Sequence, residues 1–164
     1  MKNRRLPLTV AMILLASSKA IAMTVLPPPD NSAAAKEAVY SLAQGCYSIQ
    51  SPATSKHARR YHNGGAVDNG LSYELNAHSV GEAEKFYLKP TSFSHYLIYD
   101  RDGRYLATHQ PLQVSAGRYA GSYAEWKLDA VQSSNGQFEY QMHNLGMNRT
   151  LRHGTDLKSR LTLR

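Results

Sequence analysis

The sequence predicts an all-β domain, and more specifically a β-trefoil built from three repeats of about 40 residues. The first observation is an aromatic residue followed two positions later by a branched aliphatic residue, a pattern that occurs three times, as Tyr47-x-Ile49, Phe86-x-Leu88 and Trp126-x-Leu128. The second is the spacing of these aromatics, 39 and 40 residues, which indicates an internal repeat. The third is that residues 45–164 contain short β-prone stretches and turn residues but no helical pattern.

The repeated residues predict the core of this domain. One repeat alone cannot bury its apolar face, whereas three stacked repeats can, and closure of the sheet leaves no exposed edge. Short strands with turns every 8–12 residues or so also fit a β-sandwich or an up-and-down barrel, and both remain alternatives. The residues expected to pack in the core are Tyr47, Ile49, Phe86, Leu88, Trp126 and Leu128.

Residues 1–22 have the pattern of a secretory signal peptide. Lys2, Arg4 and Arg5 form a positive start, residues 6–16 are apolar, and residues 20–22 form a small-x-small cleavage site. The 11-residue apolar stretch is shorter than a membrane span, which needs about 20 residues. We therefore expect a secreted or periplasmic protein with no stable membrane span after cleavage.

A linker is predicted over residues 23–44. Pro27, Pro28 and Pro29 favour an extended spacer. The alanine-rich stretch that follows predicts a short helix, with Asn31 or Ser32 as the N-cap. The trefoil-like domain then occupies residues 45–164.

The second repeat gives the clearest strands. Phe86–Leu88 and His95–Tyr99 are rich in β-forming residues, and residues 100–103 read as a tight turn in which Asp-Gly supplies positive φ angles. Tyr105 and Leu106 begin the returning strand. The first repeat is the weakest, because residues 58–73 are polar and glycine-rich.

The charge balance argues against nucleic acid. The net charge is +7, but residues 1–22 carry four of the 19 basic residues and no acid, so the remainder has 15 basic and 12 acidic residues, a net charge of +3. The densest basic run ends in Arg59 and Arg60, which are candidate contacts for an anion or an acidic sugar. A solvated loop is the alternative interpretation of that run.

No catalytic or metal-binding pattern is present. The seven histidines lack the spacing of zinc ligands, and the sequence has no nucleophile elbow, phosphate loop or dinucleotide fingerprint. Cys46, the only cysteine, lies beside a predicted strand and is expected to be buried. We therefore expect no enzyme activity, no metal and no cofactor.

Tyrosine is in excess, at 11 of 164 residues, and several tyrosines are expected to face outward. Tyr87 alternates with core positions, while Tyr119 and Tyr123 lie in a Gly/Ser-rich loop. A tyrosine joins a flat apolar ring to a hydroxyl group, which suits sugar stacking and protein contacts. These three tyrosines are the candidate binding residues, although tyrosines that merely complete a barrel rim are the alternative.

The segment from Phe86 to Ala107 carries a family resemblance. Its Gly103-Arg104-Tyr105-Leu106-Ala107 element resembles the fascin-like β-trefoils, in which a glycine turn leads into an aromatic-leucine strand. Residues 45–153 are also similar to β-modules that precede the barrel of secreted bacterial metal-dependent amidohydrolases or dipeptidases. The Gln-x-Trp motif of ricin-type lectins is not matched, because Trp126 follows Ala124-Glu125.

These observations predict a secreted, non-catalytic module that binds a glycan or a protein surface. One alternative, implied by the resemblance, is an accessory N-terminal domain of a secreted metallohydrolase, present as a short or truncated chain. Another is a trefoil-type protease inhibitor, for which residues 116–123 would be the reactive loop.

Overall fold

A computed structural model describes residues 28–62, 64, 67–110, 113–133, 135–151 and 162–163. Within them the chain is mostly β-strand with one short α-helix, and every strand pairing is antiparallel. This confirms the all-β prediction. The predicted signal peptide, residues 1–22, lies outside the described residues. No helix in the described ranges is long and apolar enough to cross a membrane.

The element bounds are as follows. The helix α1 spans Ala33–Ser41, and single turns of 3₁₀-helix span Leu42–Gln44, Val67–Gly70 and Ser122–Ala124. The strands are β1 Cys46–Tyr47, β2 Ile49–Gln50, β3 His57–His62, β4 Leu71–Ala77, β5 Phe86–Ser92, β6 His95–Asp100, β7 Tyr105–Gln110, β8 Gln113–Gly117, β9 Glu125–Gln132, β10 Phe138–Asn144, β11 Arg149–Thr150 and β12 Thr162–Leu163.

The twelve strands in the described part of the chain belong to one sheet. Its order is β11-β10-β9-β6-β7-β8-β4-β3-β2-β12, and β5 pairs with both β1 and β6 beside this path. The hairpins β3–β4, β5–β6, β7–β8 and β9–β10 are local, whereas the β1–β5, β4–β8 and β6–β9 pairings join distant parts of the sequence. The distant pairings hold the hairpins together.

The short helix is part of the core rather than a free linker. Ser32 is its N-cap, and the Ser32 hydroxyl accepts a hydrogen bond from the Ala35 amide at 3.1 Å. Val39 is buried, and its carbonyl accepts a hydrogen bond at 2.6 Å from the hydroxyl of Tyr96 on β6. This bond ties the C-terminal end of the helix to β6.

The repeated aromatic positions differ in depth and in pairing. Phe86 and Trp126 are fully buried, whereas Tyr47 is partly buried and packs against the core cluster. Tyr47 and Phe86 are cross-strand partners, while Trp126 pairs with Tyr96. The aliphatic positions of the three repeats are all buried in the same cluster, and they are Ile49, Leu88 and Leu128.

Gly146 sits where the turn after β10 touches the chain before β9. Its amide donates a hydrogen bond to the Ser122 carbonyl at 2.8 Å. A Cβ atom added at Gly146 would lie 2.7 Å from the backbone nitrogen of Tyr123. The contact is with backbone, so it cannot be relieved by rotating a side chain.

We expect Gly146→Ala to lower the free energy of unfolding by about 1–3 kcal/mol, because overpacking forces a backbone shift at this contact. Urea denaturation followed by tryptophan fluorescence measures the change. Gly81→Ala is the control, since its added Cβ would meet only the Ser79 hydroxyl at 3.8 Å. Equal stability of the two variants would contradict the prediction.

Candidate functional site

Three tyrosines stand side by side on the outer face of the sheet. In the strand register, Tyr87 on β5 lies opposite Tyr99 on β6, and Tyr99 lies opposite Tyr105 on β7. The row continues to Cys46 on β1 at one end and to Gly117 on β8 at the other. We call Tyr87, Tyr99 and Tyr105 the tyrosine ladder.

Strand alternation explains why the ladder faces outward. Successive side chains of a strand point to opposite faces of the sheet. The neighbours Phe86, Ile98 and Leu106 are buried in the core, so the ladder tyrosines next to them lie on the other face. All three ladder tyrosines are partly exposed.

The ladder rings pack against one another. The ring centroids of Tyr87 and Tyr99 are 5.6 Å apart with nearly parallel planes at 25°, and those of Tyr99 and Tyr105 are 6.3 Å apart at 63°. Aromatic pairs in these arrangements attract beyond the effect of area burial, by roughly 0.5–1.5 kcal/mol each. The central ring, Tyr99, is therefore held by contacts on both sides.

Cys46 borders the ladder and is exposed. The prediction that Cys46 is buried is wrong, because its position opposite Tyr87 puts it on the outer face of the sheet. Interaction with the neighbouring Cys46 side chain raises the pKa of Tyr87 above its ordinary value. The Tyr87 hydroxyl is thus a neutral hydrogen-bonding group at neutral pH.

The two candidate arginines lie away from the ladder, on β3. Arg59 is exposed and forms a long ion pair with Glu74, with 3.7 Å between Nη2 and Oε1. Such an exposed pair contributes little to stability. Arg60 is the next residue of β3, so its side chain lies on the opposite face of the strand, toward the β6–β7 hairpin.

Arg60 forms an internal network of ion pairs. Its guanidinium donates to Asp100 at 3.0 Å and to Asp102, and it lies 3.8 Å from Glu84. Burial opposes its charge, but the Asp102 hydrogen bond and the three carboxylates together raise the pKa of Arg60. The same hydrogen bond lowers the pKa of Asp102. Arg60 therefore ties β3 to the hairpin.

Asp100 is the fully buried centre of this network. One of its carboxylate oxygens accepts from Arg60 and from the hydroxyl of Tyr73, the latter at 2.7 Å. The other accepts from the amides of Asp102 and Arg104, both at 2.9 Å. Burial, followed by the hydrogen bond to Asp100, raises the pKa of Tyr73. Because every acceptor position is used, this cluster acts as a structural brace.

Tyr119 and Tyr123 are not part of the ladder. Tyr119 is 83% exposed in the loop between β8 and β9. Tyr123 is 44% exposed, and its carbonyl accepts a hydrogen bond at 2.8 Å from the buried side chain of Asn144. The structure thus separates the three tyrosines selected from the sequence, and it joins Tyr87 to two others.

Sequence reasoning missed Tyr99 and Tyr105 as site residues, although a signal for them was present. The turn at residues 100–103 predicts a hairpin, and the two tyrosines flank that turn at nearly equal distances. Gly103 has a φ of +74°, as the Asp-Gly turn requires. The amide of Asp100 donates a hydrogen bond to the Arg104 carbonyl at 2.8 Å. Tyr99 and Tyr105 are consequently paired.

A contact between a hydroxyl and an imidazole lies inside the domain. The Ser48 hydroxyl is 3.2 Å from Nδ1 of His57, and both residues are 4% exposed. A substrate cannot reach a pair buried in this way, so the contact is part of the packing between β3 and the residue that connects β1 to β2. Among the described residues no three histidines, cysteines or carboxylates are grouped as metal ligands would be.

The fold and the ladder together define an antiparallel all-β protein with an exposed aromatic row across neighbouring strands. No protein family and no curated protein matches the sequence.

Proposed function

We propose that this protein is a non-catalytic binding module that recognises a linear glycan through the tyrosine ladder. The observation that carries the proposal is the alignment of Tyr87, Tyr99 and Tyr105 in one register across β5, β6 and β7. A sugar ring has an apolar C–H face and a rim of hydroxyl groups. The exposed edge of each ladder tyrosine offers apolar ring atoms and a hydroxyl to match them, since the faces of Tyr87 and Tyr99 pack against each other.

The shape of the row favours a chain of sugars over a single sugar. The ring-to-ring steps of 5.6 and 6.3 Å follow the spacing of the strands. Each step is about the length of one unit in a linear polysaccharide. A glycan lying across the strands would therefore meet successive tyrosines with successive sugar units.

The packing of the rings supports binding energetically. An isolated exposed side chain loses rotamer freedom when a ligand immobilises it, at a cost of roughly 0.5–1.5 kcal/mol. The ladder rings already contact one another. Much of the entropy cost of ordering these side chains is therefore incurred when the protein folds and not when the ligand binds.

We also propose that the domain is a β-trefoil and that it acts outside the cytoplasm. The buried aliphatic of each repeat, at Ile49, Leu88 and Leu128, supports the threefold interpretation. The pattern of residues 1–22 supports export. Secretion of a reporter fused to residues 1–22, and an experimental structure with a pseudo-threefold axis, would test these two points.

The test of the binding function is a glycan array of neutral and acidic linear polysaccharides probed with the purified chain. We expect binding to at least one polysaccharide, and we expect Tyr99→Val to weaken it about tenfold or more, which corresponds to about 1.4 kcal/mol. Valine removes the central ring and keeps a residue that favours strands. Tyr87→Val is the second variant, because it removes a ring from the end of the row.

Tyr40→Val is the matched control, since Tyr40 is an exposed tyrosine on α1, outside the ladder. Circular dichroism of each variant shows that it is folded. The proposal would be overturned if the folded chain binds no glycan on the array. It would also be overturned if the Tyr99→Val and Tyr40→Val variants bind equally well. Capture of a defined protein partner through the same residues would instead identify a protein-binding surface.

A further inference from the structure

We infer that the tyrosine ladder selects an anionic polysaccharide, such as a polymer of uronic acids, over its neutral counterpart. This inference rests on the proposed glycan-binding function and names the class of glycan. It is carried by the basic side chains beside the ladder and by the burial of the neighbouring acids Asp100 and Glu84.

Basic residues lie on both sides of Tyr87 along the chain. Lys89 is two positions after Tyr87 on β5, so the alternation of the strand puts it on the same face, and Lys85 immediately precedes the strand. Both are exposed. No ion pair to either lysine occurs within 4 Å in the described part of the chain.

Arg101 adds a third cation next to the ladder. It follows Tyr99 by two residues, and its side chain is 69% exposed. Its contact with Glu84 is long, at 3.9 Å between Nε and Oε1, so its remaining N–H groups can reach a ligand. A guanidinium binds carboxylates in a bidentate geometry.

Two of the acids close to the ladder in sequence are withdrawn from the surface. Asp100 is fully buried, and the side chain of Glu84 is only 9% exposed. Asp102 is 52% exposed, and its carboxylate is bound by Arg60. Glu125 lies on the same face as the ladder, and its carboxylate accepts a hydrogen bond from the Thr91 hydroxyl. The three cations beside the rings therefore outnumber the two carboxylates that remain at the surface.

Carboxylates spaced along a linear glycan would complement this arrangement. The tyrosines would contact the sugar rings while Lys85, Lys89 and Arg101 contact the carboxylate groups beside them. Exposed charges of this kind act over about 10 Å at 0.1 M salt and are screened at higher salt. Affinity for the anionic ligand should therefore fall with ionic strength, whereas ring contacts should be much less sensitive.

The experiment compares an anionic and a neutral probe: polygalacturonate and the same polymer after reduction of its carboxyl groups to hydroxymethyl groups. Isothermal titration calorimetry with the purified full chain gives both affinities at low and high salt. We expect tighter binding of polygalacturonate at low salt, and a loss of this preference at high salt.

The matched variants separate charge from the aromatic row. Changing Lys85, Lys89 and Arg101 together to glutamine should weaken polygalacturonate binding about tenfold, as three exposed ionic contacts would, and leave the reduced polymer unaffected. The control changes Lys36, Lys56 and Arg149 to glutamine, which removes the same charge elsewhere. Tyr99→Val should weaken both probes.

The outcomes of these measurements distinguish the preference for an anionic polysaccharide from glycan binding itself. Equal affinity for the two polymers, with both lost in Tyr99→Val, would overturn the anionic preference and leave glycan binding in place. Binding of polygalacturonate that weakens equally in both charge variants would mean a general charge effect, which also overturns the inference. Binding of neither probe, together with a silent array, would remove the proposed function itself.

Discussion

Replacing Asp100 with alanine is expected to lower the free energy of unfolding by about 3–5 kcal/mol, the range seen when one partner of a buried ion pair is removed. The carboxylate is fully buried and accepts four hydrogen bonds. Without it, the Tyr73 hydroxyl and two turn amides lose their acceptor, and Arg60 loses one of its three carboxylate partners. Denaturant unfolding measures the loss.

The control for this prediction is Asp102→Ala. Asp102 binds the same arginine, but it is 52% exposed, so water can replace the lost contact. Its expected cost is therefore small, as for other exposed ion pairs. Asp100→Asn keeps the size of the side chain and should fall between the two. If both alanine variants unfold at the same denaturant concentration, the buried brace does not have the importance assigned to it.

Replacing Trp126 with alanine is expected to cost about 3–5 kcal/mol as well, because it removes the largest buried side chain and leaves a cavity. Trp126 is 1% exposed on β9, and its indole N–H donates a 2.6 Å hydrogen bond to the Leu106 carbonyl. The ring thus joins β9 to β7 through both packing and a polar contact. Thermal or urea unfolding followed by far-ultraviolet circular dichroism gives the stability, since the variant lacks the fluorescent reporter.

Trp126→Phe separates the two contributions. Phenylalanine keeps most of the apolar contact but leaves the Leu106 carbonyl without its donor, which costs about 1–3 kcal/mol for a buried group. The phenylalanine variant should therefore be clearly more stable than the alanine variant. A phenylalanine variant as unstable as the alanine variant would mean that packing contributes little at this position.

The sequence predicted most reliably where neighbours in the chain act on one another. The N-cap at Ser32 and the Asp-Gly turn ending at Gly103 depend on local hydrogen bonds and backbone angles, and both are present. The alternation around Phe86 and Leu88 likewise follows from strand geometry. Such features can be predicted without knowing which distant segments pack against them.

The sequence predicted poorly where the environment is set by distant strands. β3, His57–His62, has almost no apolar pattern, yet it pairs along its length with β4 and anchors Arg60. β8, Gln113–Gly117, overlaps a stretch interpreted as a loop from its glycine and serine content. Pairing with neighbouring strands overrode the weak local preferences of both segments.

The candidate site was predicted only in part, and Tyr87 shows why. Its outward orientation follows from its buried neighbours, but its value as a binding residue depends on Tyr99 and Tyr105. Arg60 illustrates the opposite case. A basic run in the sequence looks available to a ligand, whereas the folded chain brings three carboxylates to this arginine.

By itself, the sequence determined the all-β class, the local turns, the helix cap and the faces on which strand residues lie. These depend on interactions between residues a few positions apart, and such interactions are the same whatever the rest of the fold. Only the tertiary structure decided that Cys46 is exposed, that Arg60 is internal and that three tyrosines form one row. Burial of the shared core selects which distant strands become neighbours, and that selection is a property of the whole chain.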